Sequence, residues 1–170
     1  MNCISVYQSP LGEMVLASTD GRISGLWFLG QKYFGSTLVG NEVEKEDDAI
    51  RQTKRWLDRY FAGETPDGLP PLRLSGSAFK QTVAQIMLRI PRGQTMTYGE
   101  IAAEAARLLG MPRMSAQAVG GAVGHNPISI LVPCHRVVGA SGKLTGYAGG
   151  LERKQALLTL EKIVLKTTES

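Results

Sequence analysis

The chain has 170 residues, 43% of them apolar and 20% charged, with a formal net charge of +4. That composition is ordinary for a globular protein and argues against disorder, and no apolar run reaches the roughly 18 residues of a membrane helix. Two distant cysteines make neither a disulfide framework nor a paired metal knuckle, and the first residues carry no signal-peptide pattern, so a cytoplasmic protein with reduced thiols and no membrane contact is expected.

The chain opens as a β-meander. Residues 4–8, 13–18 and 22–28 are short stretches of strand formers, separated by Ser9-Pro10-Leu11-Gly12 and by Thr19-Asp20-Gly21; both separators carry strong turn chemistry. Residues 30–41 read as irregular and Gly-rich, followed by the acidic run 42–48. The spacing of Ile50, Thr53, Leu57, Tyr60 and Phe61, widened by Trp56, predicts a helix over 49–62, with Gly63 at its stop. Residues 65–71, with prolines around Asp67-Gly68, read as a linker. A domain of residues 1–74 and a second of residues 75–170 are therefore expected.

Helices dominate the second half. Phe79, Val83, Ile86, Met87 and Ile90 form one stripe, capped by Ser77 and ended by Pro91-Arg92-Gly93. Thr97-Tyr98-Gly99-Glu100 has the capping-box pattern and opens a helix to about residue 109. Ser115 can cap a further helix over 116–124, and the two together are a helix-turn-helix candidate. The last of these is nearly all Ala, Val and Gly. Gly120 and Gly121 cost it about 2 kcal/mol of propensity relative to alanine. Either tight packing on a neighbouring helix or close approach to a partner surface accounts for that cost.

Charge divides along the same line. Residues 1–74 carry 8 Lys and Arg against 10 Asp and Glu, whereas residues 75–170 carry 11 against 5. A basic second half fits a polyanionic partner, with a merely solvated basic surface as the plain alternative. Within it, residues 128–138 run Ile-Ser-Ile-Leu-Val-Pro-Cys-His-Arg-Val-Val. A thiol attacks as its thiolate, and basic or imidazole neighbours favour that form. Cys134 has such neighbours in His135 and Arg136, although in an extended segment adjacent side chains face opposite ways and His135 then acts only through a water. A buried structural cysteine is the competing reading.

The full string Pro133-Cys134-His135-Arg136-Val137-Val138 resembles the active-site signature of the O6-alkylguanine-DNA alkyltransferases, the methylated-DNA–protein-cysteine methyltransferases. Ala118-Val119-Gly120-Gly121-Ala122 and Asn126-Pro127 upstream, and Gly146-Tyr147-Ala148-Gly149-Gly150-Leu151, Lys154 and Glu161 downstream, keep the same register. Tyr98-Gly99-Glu100-Ile101-Ala102 is similar to the family's tyrosine-bearing helix start, so the match spans about residues 79–161.

That resemblance implies an α+β protein: a small N-terminal antiparallel sheet plus helix, ribonuclease-H-like, and a helical, winged-helix-like DNA-binding domain. It implies DNA repair by irreversible transfer of an alkyl group from O6-alkylguanine in double-stranded DNA, O4-alkylthymine being an open second substrate. The base is turned out of the duplex through the minor groove. By position, Cys134 is the acceptor, His135 takes its proton through a water, and Glu161 orients His135. Asn126 bonds within the site, and Tyr98 donates towards guanine N3. Tyr147 lines the pocket, backbone around Cys134, Val137 and Ala148 reads the guanine edge, and Lys154 supports. Gln117, Ala118, Gly120, Gly121 and Arg136 fall on the DNA-binding side. No metal or other cofactor is implied. The resemblance further implies a monomer, with cooperative binding along DNA left open.

Two features depart from the family pattern. Gln117 stands where many members carry an arginine that fills the gap left by the flipped base, and residues 110–114 form a longer turn than in the animal proteins. A zinc site in the front domain is rejected, because residues 1–124 hold one Cys and no His. Trp27, Trp56 and Phe61 are expected in the front core, His125 in a loop or facing the groove rather than as a ligand, and residues 162–170 as a frayed tail. A binding-only helix-turn-helix protein for alkylated DNA is the alternative; such relatives lack the acceptor cysteine. A Cys134-His135-Glu161 hydrolase is a weaker one.

Overall fold

A computed structural model describes residues 1–163 of the chain. Two compact units emerge, Met1–Leu74 with Pro127–Leu131, and Ser75–Asn126 with the chain from Val132 onward. The expected second segment, 75–170, is thus interrupted. Pro127–Leu131 joins the first unit because its backbone pairs with the third strand: Leu26 N–H donates to the Pro127 carbonyl and Ser129 N–H to the Leu26 carbonyl, both at 2.9 Å.

In the first unit β1 (Asn2–Ser9), β2 (Gly12–Thr19) and β3 (Arg22–Phe28) form the meander. Asp20 and Gly21, both at positive φ, make the second turn, the backbone hand that suits a two-residue hairpin. The sheet is mixed rather than purely antiparallel. A two-residue strand, β4 (Val43–Glu44), runs parallel to β1 at the edge, giving the order β3-β2-β1-β4. It lies inside the acidic run, where no periodicity marks it.

Helix α1 (Asp48–Phe61) is capped by Asp47, whose side chain accepts from Ile50 N–H and from Ser18 Oγ. It buries Ile50, Thr53, Leu57 and Tyr60 and packs against the meander, whose Met14, Leu16, Leu26, Trp27 and Phe28 are fully enclosed. Trp56 is half-buried and stacks on Tyr60.

The second unit is built on α2 (Ala78–Leu88), α3 (Tyr98–Leu109) and α4 (Ala116–Gly124), which pack on one another. Each starts where a side chain satisfies an otherwise orphaned backbone N–H: Ser77 for α2, the reciprocal Thr97–Glu100 box for α3, Ser115 for α4. Gly110 closes α3 in the left-handed conformation. Two further elements lie outside the sequence expectation. Strands β5 (Met96–Thr97) and β6 (Val137–Val138) form a parallel pair. Helix α5 (Leu151–Leu160) follows Gly150, which offers no side-chain cap. Lys162 and Ile163, expected as frayed, instead close α5, and the rest of the expected tail, 164–170, lies outside the described residues. Among the described residues no helix is long and apolar enough to cross a membrane.

Candidate active site

Cys134 opens a single 3-10 turn, Cys134–Arg136, not an extended segment. Cys134 N–H donates to the Val132 carbonyl at 2.7 Å, and Val137 N–H closes the turn on the Cys134 carbonyl. The turn sends His135 fully into the interior and leaves Cys134 5% exposed. Asn126, directly after the last turn of α4, donates from Nδ2 to the Val132 carbonyl at 3.0 Å. It thereby fixes the segment that delivers the cysteine, and its side chain also bonds to the Cys134 thiol.

Glu161 reaches the site through the end of α5. Lys162, at φ 63°, donates to Thr159, and Ile163 N–H donates to Leu158 at 2.8 Å. These are the paired bonds of a Schellman ending, here with lysine where glycine is usual. They hold Glu161 at the helix terminus with its carboxylate inward. His135 Nε2 meets Glu161 Oε2 at 2.7 Å. An ionised carboxylate only accepts, so the proton sits on Nε2 and Nδ1 carries the basic lone pair.

Arg136, expected at the DNA contact, spends its guanidinium inside the protein. Nε and Nη2 donate to Glu161 Oε1 and Oε2 at 2.8 and 3.1 Å, and Nη1 to the Ile90 carbonyl at 2.6 Å. Burial alone would raise the Glu161 carboxyl, but the hydrogen bonds from His135 and Arg136 hold it well below the usual carboxylate range. Burial pushes the His135 imidazole down, against the pull of Glu161. Burial likewise pushes the Cys134 thiol up, partly offset by Asn126 and by the charge of Lys154.

Lys154 is completely buried and donates from Nζ to the carbonyls of Val137 at 2.6 Å and Gly146 at 3.2 Å. It ties the strand after the cysteine to the segment carrying Tyr147 and Ala148. Burial lowers its ammonium to about 8, against the raising effect of Cys134. The Val137 N–H and carbonyl expected to face guanine thus also serve the protein's own turn and clamp.

Tyr98 is the first residue of α3, half-buried, with its hydroxyl 3.2 Å from Thr145 Oγ1. Tyr147 and Ala148 are half-buried, and the Tyr147 hydroxyl lies in the interior. On α4, Gln117, Ala118 and Gly121 are exposed and Gly120 is half-exposed. A Cβ placed on Gly120 or Gly121 meets no atom within 4 Å. Packing inside the protein therefore does not demand glycine at either position.

Sequence reasoning missed two relationships here, the grip of Arg136 on Glu161 and the contact of Thr145 with Tyr98. Each joins residues far apart in the chain, 25 and 47 positions respectively, so no local pattern announces it.

Residues 3–74 match the family described as 6-O-methylguanine DNA methyltransferase, ribonuclease-like domain, and residues 78–163 match its DNA binding domain. The methylated-DNA–protein-cysteine methyltransferase of Mycolicibacterium paratuberculosis is 46% identical over 154 residues, 91% of this chain and 88% of that protein. The crystal structure of the Mycobacterium tuberculosis O6-methylguanine methyltransferase superposes with a TM-score of 0.79 at 44% identity, covering 95% of this chain and 93% of the other. The M. tuberculosis OGT protein in complex with DNA gives 0.78 at 43% identity, over 94% and 92% of the two chains.

Proposed function

Because the chain belongs to the methylated-DNA–protein-cysteine methyltransferase family, we propose how its own residues carry out the reaction. The protein repairs DNA by moving an alkyl group onto one of its cysteines, a transferase used once. The acceptor is Cys134. Its thiol proton passes through a water to Nδ1 of His135, whose Nε2–H stays on Glu161. The thiolate attacks the saturated carbon on O6 of guanine; the sulfur–carbon bond forms as the carbon–oxygen bond breaks. The electron pair leaves on the purine, and the Tyr98 hydroxyl stabilises that charge by a hydrogen bond donated to N3. The reaction needs an ionised sulfur and a stabilised leaving group, which these side chains supply.

A base stacked in a duplex hides its O6, so the nucleotide is first turned out, at a cost of a few kcal/mol. The open glycine face of α4 suits close approach to the minor groove, and Gln117 stands where the vacated space is filled. The protein acts as a monomer at intracellular DNA, with O4-alkylthymine a second substrate to be tested.

The observation that carries this reading is the buried Cys134-His135 turn with Nε2 held by Glu161 at 2.7 Å. Intact-protein mass spectrometry after mixing with an O6-methylguanine duplex tests it. One added methyl is expected, and Cys134→Ala gains none. A stable complex with unmodified protein would establish the binding-only alternative, and multiple turnovers without an adduct a hydrolase.

A further inference from the structure

The β5–β6 pairing sets Thr97 opposite Val138. Their successors, Tyr98 and Gly139, therefore leave the strand pair side by side. After Gly139 the chain folds into a tight turn: Gly139 N–H donates to the Lys143 carbonyl at 2.8 Å and Gly142 N–H to the Gly139 carbonyl at 3.0 Å. The turn returns the chain to Thr145. A Cβ on Gly139 would stand 2.8 Å from the Thr145 methyl Cγ2, closer than side-chain carbons approach. The absent side chain of Gly139 is thus the seat of that methyl. A β-branched side chain has few rotamers, so seating the methyl aims the hydroxyl. It points at Tyr98, with Oγ1 and the phenol oxygen 3.2 Å apart.

We propose that Thr145 is a positioning residue for Tyr98, donating its hydroxyl proton to the phenol oxygen so that the Tyr98 proton is directed at the departing guanine. This rests on the role given to Tyr98 above. A phenol has one proton. Were Tyr98 the donor in this pair, that proton would point away from the base; with Thr145 as donor it is free for the substrate. Accepting a hydrogen bond also polarises the phenol O–H and strengthens its own donation. The separation is long for two hydroxyls, and catalytic hydrogen bonds commonly shorten once substrate is bound.

The test is single-turnover transfer from an O6-methylguanine duplex, with DNA affinity measured separately. Thr145→Val keeps the seated methyl and exchanges the hydroxyl for a second methyl that cannot donate. It is expected to lower the saturating rate about three- to tenfold, the worth of one hydrogen bond, with the Kd for DNA unchanged. Thr145→Ser keeps the hydroxyl without the methyl that aims it, and its rate is expected to fall between those of the wild type and Thr145→Val. In a Tyr98→Phe background, Thr145→Val should add nothing. A wild-type rate for Thr145→Val while Tyr98→Phe is slow overturns the inference alone. So does an equal slowing by Thr145→Val in both backgrounds, which marks a packing effect. A wild-type rate for Tyr98→Phe overturns the role of Tyr98 and this inference with it. Thr145→Ala, read in the same two backgrounds, substitutes should the valine protein not fold.

Discussion

Arg136 grips both carboxylate oxygens of Glu161, at 2.8 and 3.1 Å, while Oε2 of the same carboxylate holds His135 Nε2 at 2.7 Å. A carboxylate already shared with a guanidinium orients the imidazole more than it charges it. Burial works in the same direction, disfavouring the imidazolium. The resting site is a neutral imidazole beside a neutral thiol, with Glu161 and Arg136 as a compensated ion pair behind it.

That charge state fixes a pH profile. The thiol lies above its ordinary 9.0 and the imidazole below its ordinary 6.5. Between those values neither group exchanges a proton with solvent, and in the proposed mechanism the thiolate forms by transfer within the site. The single-turnover rate of the wild type is expected to be flat from pH 6.5 up to the Lys154 ammonium near 8, whose charge favours the thiolate. His135→Gln removes the internal base, so its rate should climb about tenfold per pH unit over the same range, following the free thiolate. Stopped-time quench assays at saturating protein measure both, and a wild-type profile sloping within that range would contradict the assignment.

Removing the guanidinium leaves a buried carboxylate with less compensation. Arg136→Leu is expected to cost about 3–5 kcal/mol at pH 7, the range for breaking a buried ion pair. The folded carboxyl of Glu161 is depressed, so the folded state binds fewer protons than the unfolded chain at acid pH. The pair's contribution is therefore full above the unfolded value near 4.5 and is lost as pH falls towards the depressed one. Urea denaturation at pH 7 and pH 3 should show the wild-type advantage shrinking on acidification.

Stability and function should part company on α4. A Cβ at Gly121 meets nothing within 4 Å, and the residue is exposed. Gly121→Ala should then stabilise the protein by about 1 kcal/mol through helix propensity alone. The same methyl group stands on the face proposed above to meet the minor groove, so duplex affinity should fall. Paired denaturation and DNA-binding titrations decide it; equal affinity would remove this face from the interface.

Gln117 lies exposed in the first turn of α4. Gln117→Arg adds a positive charge there and should tighten duplex binding at low salt, with a steeper salt dependence. An unchanged Kd across a salt series would remove this position from the DNA contact.

What the sequence determined by itself is whatever short-range chemistry dictates. The caps Ser77, Thr97 with Glu100, and Ser115 bond to backbone within three residues, so the helix starts could be read directly. The meander, with Asp20-Gly21 at its turn, was legible for the same reason, whereas the run from Pro133 to Val138 was legible through its family resemblance and its 3-10 turn was not. The tertiary structure decided everything that depends on a partner elsewhere in the chain. Strands β4, β5 and β6 are two residues each and exist only as pairings. Helix α5 follows a glycine without a side-chain cap and took no shape in the pattern. Arg136 reads as a surface cation until Glu161 arrives from the end of α5, and Thr145 reads as a loop residue until the β5–β6 register brings Tyr98 beside it. A residue's own preferences act over three or four neighbours, whereas burial, charge compensation and hydroxyl orientation are set by whichever distant segment folds against it.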